Sequence, residues 1–228
     1  MRCAIMQPTY LPWAGYFQLM VQTDTFVFLD DVQFERRSWQ SRNRILLNGK
    51  EHVLIVPVTK ADRSTPIHAI KVSPELDWQH SHWQTLLSAY GKAPYGKQAL
   101  DLLEPFYNGP APALLSEFNQ GIIGRIASAL GIQTRLLRAS DLQCGGTRSQ
   151  HLIELCEALR CEEYISPRGS MEYLQQDDFV GKTAVRLSFQ DYAPQPYPQR
   201  HAPAFVSHLS VVDVIAHAGI EFTKAYIR

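Results

Sequence analysis

The chain has 228 residues, enough to bury a sizeable core, and its 45% hydrophobic and 11% aromatic content is that of a globular protein and not of a disordered one. Its 22 Lys plus Arg balance 22 Asp plus Glu, so no overall field draws it to nucleic acid or to an anionic membrane, and a polyanionic partner would need a local patch. No stretch approaches the roughly 20 apolar residues of a membrane span, and Cys3 to Met6, cut short by Gln7-Pro8, is too brief for a secretory signal.

Apolar runs bounded by turn residues alternate with helical patterns, which predicts a single α/β domain over residues 1–228 around a mostly parallel, Rossmann-like sheet flanked by helices. Arg2–Met6 reads as a first strand, Trp13–Val21 as a helix and Thr25–Leu29 as a second strand. Arg44–Leu47 and Glu51–Pro57 flank Asn48-Gly49, the dipeptide of tight hairpin turns, and predict a small β-hairpin. The middle third is helical: Leu115, Phe118, Ile122, Ile126 and Leu130 share one face up to Gly131, and Leu152, Leu155, Cys156 and Leu159 repeat the pattern between Arg148 and Arg160. Gln133–Leu137, Glu163–Ser166 and Ala184–Ser188 read as further strands, with Asn108-Gly109-Pro110 and Cys144-Gly145-Gly146 as turns. Cys3, Cys144, Cys156 and Cys161 lack Cys-x-x-Cys spacing and matching His pairs, which predicts buried reduced thiols, no metal site and a cytoplasmic setting.

Three segments could carry chemistry. Gln7-Pro8-Thr9-Tyr10-Leu11-Pro12-Trp13-Ala14-Gly15-Tyr16-Phe17 follows the first strand, and open α/β sheets bind ligands beyond the carboxyl ends of their strands. Gln7, Tyr10 and Tyr16 are polar-tipped groups that a plain connector does not need, although its aromatics also suit a core. Asp30-Asp31-Val32-Gln33-Phe34 ends the second strand, where carboxylates bind a metal-bridged phosphate, hold a sugar hydroxyl, act as a base or simply cap a turn. Arg36-Arg37-Ser38-Trp39-Gln40-Ser41-Arg42-Asn43-Arg44 gathers four guanidinium groups that match phosphate geometry, with Trp39 to stack on a base or sugar, unless it is a solvated basic loop. Weaker candidates are His82 on a helix running from Trp78 to Tyr90, a backbone nest at Ser166-Pro167-Arg168-Gly169-Ser170, and the stiff loop Tyr197-Pro198-Gln199-Arg200-His201. Dinucleotide, Walker, nucleophile-elbow and His-Glu-x-x-His motifs are absent.

The opening motif, Asp30 to Phe34, Trp39, Arg42-Asn43-Arg44 and Pro57-Val58 together resemble the WbqC-like proteins of bacterial surface-polysaccharide clusters, and the likeness runs on through Trp78, His82, Tyr90, Ala93-Pro94-Tyr95, Tyr164-Ile165-Ser166, Gly169, Tyr173-Leu174 and Leu209 to Asp213. That resemblance implies a role in O-antigen decoration, with glycine transfer as the suggested activity. Relatives carry His where this chain has Met6, so no role for that imidazole carries over. A more distant likeness is to nucleotidyltransferases of the pantothenate-synthetase type, whose His-x-Gly-His motif is replaced here by Trp13-Ala14-Gly15-Tyr16.

The leading expectation is a transferase or ligase joining a small acyl or aminoacyl group to an amino sugar, in its nucleotide-linked form. Asp31, His82 and Tyr10 are then the catalytic candidates. Gln7, Tyr16, Asp30, Gln33, Arg36, Trp39, Arg42, Asn43, Arg44, Ser166 and Gly169 would bind the nucleotide or nucleotide-sugar. The alternatives are nucleotidyl transfer or carboxylate adenylation, with a nucleotide and magnesium as the cofactor, and a non-catalytic nucleotide-sugar binding protein. Gln7, Tyr10, Asp31 and Arg42 are expected around one pocket at the C-terminal edge of the sheet.

Overall fold

The computed structural model describes residues 1–74 and 77–228. Its centre is a sheet of β1 (Arg2–Met6), β2 (Thr25–Phe28), β5 (Arg135–Arg138), β6 (Glu163–Ser166) and β7 (Arg186–Phe189), in the order β5-β2-β1-β6-β7. Every neighbouring pair is parallel, from Cys3↔Thr25 on one side of β1 to Cys3↔Tyr164 on the other. The chain therefore winds outward from β1 through β2 to β5, then crosses back to build β6 and β7. This is the doubly wound, Rossmann-like arrangement, and its order reverses between β1 and β6.

The strands are apolar on both faces because helices cover both. Along β1 and β2 the side chains alternate: Ala4, Phe26 and Phe28 enter one buried cluster, whereas Cys3, Ile5 and Val27 enter the other. The first cluster takes in α1 (Ala14–Val21), α2 (Trp78–Tyr90), α3 (Gly96–Tyr107), α4 (Leu115–Ala129) and α9 (Val211–Tyr226). The second takes in α6 (Ser149–Ala158) and residues of the short α7 (Met171–Gln176) and α8 (Phe179–Lys182), with α5 (Ala139–Leu142) at its margin.

The hairpin is longer than expected at its first arm: β3 (Arg42–Leu47) pairs antiparallel with β4 (Lys50–Ile55) from Arg42↔Ile55 to Leu47↔Lys50. Asn48 and Gly49 turn it at φ 51° and 74°, the left-handed pair that matches strand twist. The C-terminal helix α9 was not foreseen. Its first half, Val211 to His217, is buried all round, so its sequence shows an apolar run and no stripe. At Gly219 (φ 88°) the helix kinks, and a Cβ there would stand 3.0 Å from the Tyr95 ring.

A second departure concerns the cysteines. Cys3 in β1 and Cys161 just before β6 form a disulfide, with Cα atoms 6.2 Å apart, where reduced thiols were expected. The two lie 158 residues apart in sequence, and only the parallel pairing of β1 with β6 reveals their proximity. The bond also removes the argument from reduced thiols to a cytoplasmic setting. Cys156 brings a third sulfur to 3.7 Å from Cys3 Sγ, and all three sulfurs lie within 4.8 Å of one another. Burial pushes the Cys156 thiol up to about 12, which keeps it protonated and inert beside the disulfide. Among the described residues, no helix is long and apolar enough to cross a membrane.

Candidate functional site

The loops after β1 and β6 diverge at the reversal of strand order, and a cleft of about 510 Å³ opens there. Ile5, Met6 and Leu29 form its apolar floor, and Trp13, Trp39 and Tyr173 supply aromatic walls. Polar groups come from Gln7, Thr9, Ser38, Gln40, Gly169 and Ser170. Among the described residues, its one charged lining group is Glu35.

Two loops form most of this wall and hold each other. Gln40 is the clasp: its Nε2 donates to Gln7 Oε1 at 2.9 Å and its Oε1 accepts from Glu35 N at 3.1 Å. Asn119 from α4 donates to Pro8 O and Gln40 O, and Tyr10 N donates to Trp39 O. Asn43 in β3 donates to Tyr10 O and Leu11 O while accepting from Arg44 N. These bonds satisfy carbonyls of both loops that would otherwise be left without donors. Thr9 is 6% exposed and its Oγ1 has no partner, although it lines the cleft.

The four groups expected around one pocket are not together. Gln7 lines the cleft, but Tyr10 is fully buried, because Leu11 at φ 43° reverses the loop and tucks both side chains under it. The Tyr10 hydroxyl bonds His82 Nδ1 at 3.0 Å and the Tyr107 hydroxyl, inside an aromatic nest with Trp78 and Phe118. Burial pulls the His82 imidazole down to about 4, leaving it neutral near pH 7. Its ring also bonds the backbone of Ile55, so neither nitrogen reaches the cleft. Tyr16 is buried as well, donating to Gln7 O at 3.1 Å.

The adjacent aspartates differ in role. Asp30 is 1% exposed and accepts from Ser140 N, Ser140 Oγ and Gln120 Nε2, which ties β2 to the start of α5 and to α4. Asp31 instead meets His151 of α6, whose Nε2 lies 3.2 Å from Oδ1 and 3.1 Å from Oδ2. His151 Nδ1 is 2.6 Å from Gly145 O, so both ring nitrogens face acceptors and the protonated ring satisfies both. The Asp31 carboxylate accordingly holds the His151 pKa above its ordinary value. Leu29 and Leu152, close in sequence to this pair, line the cleft. With Asp30 committed to Ser140 and Gln120, and Asp31 to His151, the two carboxylates do not fit a magnesium–phosphate bridge.

Arg36 and Arg42 line a different groove, on the other side of the 34–42 loop from Trp39. Arg44 pairs with Glu51 at 3.0 Å and lies over the Trp39 ring, 5.5 Å from its centroid. Asn43 is buried as scaffold, and Gln33 is exposed in a bridge to Pro66. Gly169 lines the cleft, while Ser166 is fully buried beneath it, donating to the Tyr164 hydroxyl. The expected backbone nest is a 3-10 turn, with Ser170 N already bonded to Pro167 O.

A family model described as the WbqC-like protein family matches residues 7–225. The chain belongs to the WbqC-like family. That match takes in every wall of the cleft except Ile5 and Met6, and the 34–42 loop entire. A relative in Mycobacterium tuberculosis (strain ATCC 25618 / H37Rv), the uncharacterized protein Rv1507c, is 29% identical over 227 residues, covering 100% of this chain and 97% of its own length. No solved structure matches.

Glu35, Ser38, Gln40 and Ser170 fell within or beside segments singled out by sequence and were not themselves chosen. Composition marks such a loop without saying which of its side chains turn inward. His151 carried no signal at all, because it sits in a helical pattern 120 residues from its partner Asp31.

Proposed function

We propose that this WbqC-like protein is a transferase or ligase of surface-polysaccharide biosynthesis that joins a small acyl or aminoacyl group to an amino sugar held in the switch-point cleft. The observation that carries the reading is the lining itself: tryptophan and tyrosine faces, amides and hydroxyls and, among the described residues, one carboxylate and no cation. Aromatic faces stack on the apolar C–H side of a sugar ring, and amide and hydroxyl groups such as those of Gln7 and Ser38 pair with its hydroxyls.

Glu35 would accept a hydrogen bond from the amine, which reacts in its neutral form, and take one proton from it as the new bond forms. In the step, the amine nitrogen attacks the acyl carbon of an activated acyl donor, the donor's leaving group departs, and the nitrogen's proton passes to Glu35. Asp31, with both oxygens engaged by His151, orders the flank behind Leu29 and Leu152 and takes no part in the proton transfer. Tyr10 and His82 set the shape of the opening loop from below. The nucleotidyl alternative is supported less, since among the described residues no cation lines this cleft to meet a polyphosphate.

The test is a thermal-shift titration with glucosamine, UDP-glucosamine and their N-acetylated counterparts. A ligand at ~100 times its dissociation constant adds about 2.7 kcal/mol. The free-amine forms are expected to stabilise more, and Glu35→Gln to abolish that preference. No shift with any of the four, or equal shifts in the wild type, would refute the assignment.

A further inference from the structure

The cleft uses one side of the 34–42 loop, and the other side faces a separate groove of about 440 Å³. Arg36, Arg37 and Arg42 from the loop and Lys60 from the strand-like chain after β4 line it, over an apolar floor that includes Ile55 and Val58. No carboxylate lines this groove among the described residues.

The cations here are also not neutralised by neighbouring acids. Four arginines elsewhere do meet acids: Arg44 with Glu51, Arg148 with Asp177, Arg168 with Asp191 and Arg186 with Glu163. Among the described residues, Arg37, Arg42 and Lys60 make no ion pair, and Arg36 reaches only the Ala61 carbonyl, at 3.5 Å. Four like charges converging on one concave apolar surface repel one another, and low-dielectric walls strengthen their field. Such an arrangement is stabilised by a multivalent anion and by little else within a chain of zero net charge.

We infer that this groove is a second binding site, distinct from the cleft, for a pyrophosphate group, free or carried on a nucleoside or lipid. Guanidinium forks pair two at a time with phosphate oxygens, and three of them with an ammonium match the charge and oxygen count of a diphosphate better than those of a lone carboxylate. The floor of Ile55 and Val58 receives whatever apolar or ring portion the diphosphate carries.

The experiment is calorimetric titration of the full chain with inorganic pyrophosphate, ADP and, in a flotation assay, vesicles of phosphatidylcholine with and without diacylglycerol pyrophosphate. Pyrophosphate is expected to bind, and Arg37→Ala, Arg42→Ala and Lys60→Ala are each expected to weaken it tenfold or more with unchanged melting temperature, while Trp39→Ala leaves it within twofold. Tighter binding of ADP than of pyrophosphate points to a nucleoside as the carrier, and flotation only when diacylglycerol pyrophosphate is present points to a lipid. Absence of pyrophosphate binding at low salt, or binding that Trp39→Ala removes and Arg42→Ala does not, overturns the inference. Because neither outcome involves free-amine sugars, failure here is separable from failure of the cleft assignment.

Discussion

The cleft and the groove share a wall yet are chemical opposites. On the cleft side the loop presents Glu35, Ser38, Trp39 and Gln40, fixed by hydrogen bonds among themselves and, at Trp39 and Gln40, to the opening loop; on the groove side it presents Arg36, Arg37, Ser41 and Arg42, whose cations are largely without partners. A single stretch of nine residues thus sorts neutral polar and aromatic groups from cations. A loop that reads as one basic, aromatic patch in sequence serves two surfaces, and Trp39 and the arginines do not act on the same atoms.

The substitution with the largest expected effect removes the pin between the two surfaces. Asn43→Ala leaves Tyr10 O and Leu11 O without donors and Arg44 N without its acceptor, and is expected to cost about 2–3 kcal/mol in denaturant unfolding. Both ligand sites should weaken with it, since Asn43 sits between Arg42 and Arg44; full stability would show that the loops hold each other without this residue.

Trp39→Ala divides the regions most sharply. It deletes an aromatic wall that is 46% exposed, so the fold should tolerate it, and binding of amino sugars should fall about tenfold, or ~1.4 kcal/mol. Equal loss of pyrophosphate binding would merge the two surfaces into one.

The Asp31–His151 pair tests whether the cleft's flank is electrostatically set. Because the folded pKa of His151 lies above the unfolded value of 6.5, its contribution is fully present below that value and is lost as pH rises through the folded pKa. The stability gap between wild type and His151→Gln should therefore be larger at about pH 5.5 than at about pH 9. A gap that grows with pH would mean the ring is neutral when folded. Arg44→Ala should matter least: its pair with Glu51 is solvent-facing, and the expected change is within ~1 kcal/mol in a melting scan, with sugar binding little altered.

The sequence made the sheet legible because alternation and turn chemistry are local. Glu163–Ser166 was placed at its observed bounds, and Asn48-Gly49 marked the hairpin. What escaped was set by distance along the chain. The partner of Asp31 is 120 residues away, the partner of Cys3 is 158, and the first half of α9, Val211 to His217, hides its helical period by being buried all round. The site was legible as two segments but not as two surfaces. Strands alternate their side chains with a fixed period, whereas a loop held at φ 43° by Leu11 and φ 62° by Arg37 turns them by local backbone conformation that no period encodes.

The bond between Cys3 and Cys161 makes a covalent ring of the first two-thirds of the chain. A protease that cuts once inside that ring, for instance at the exposed turn around Asn108, opens it without releasing a fragment. The nicked protein should migrate as one species on a gel without reductant and as two with it. Because the bond links β1 to the turn before β6, at the end of those strands opposite the cleft, the two flanks of the binding site would remain tethered even after the connection between them has been severed.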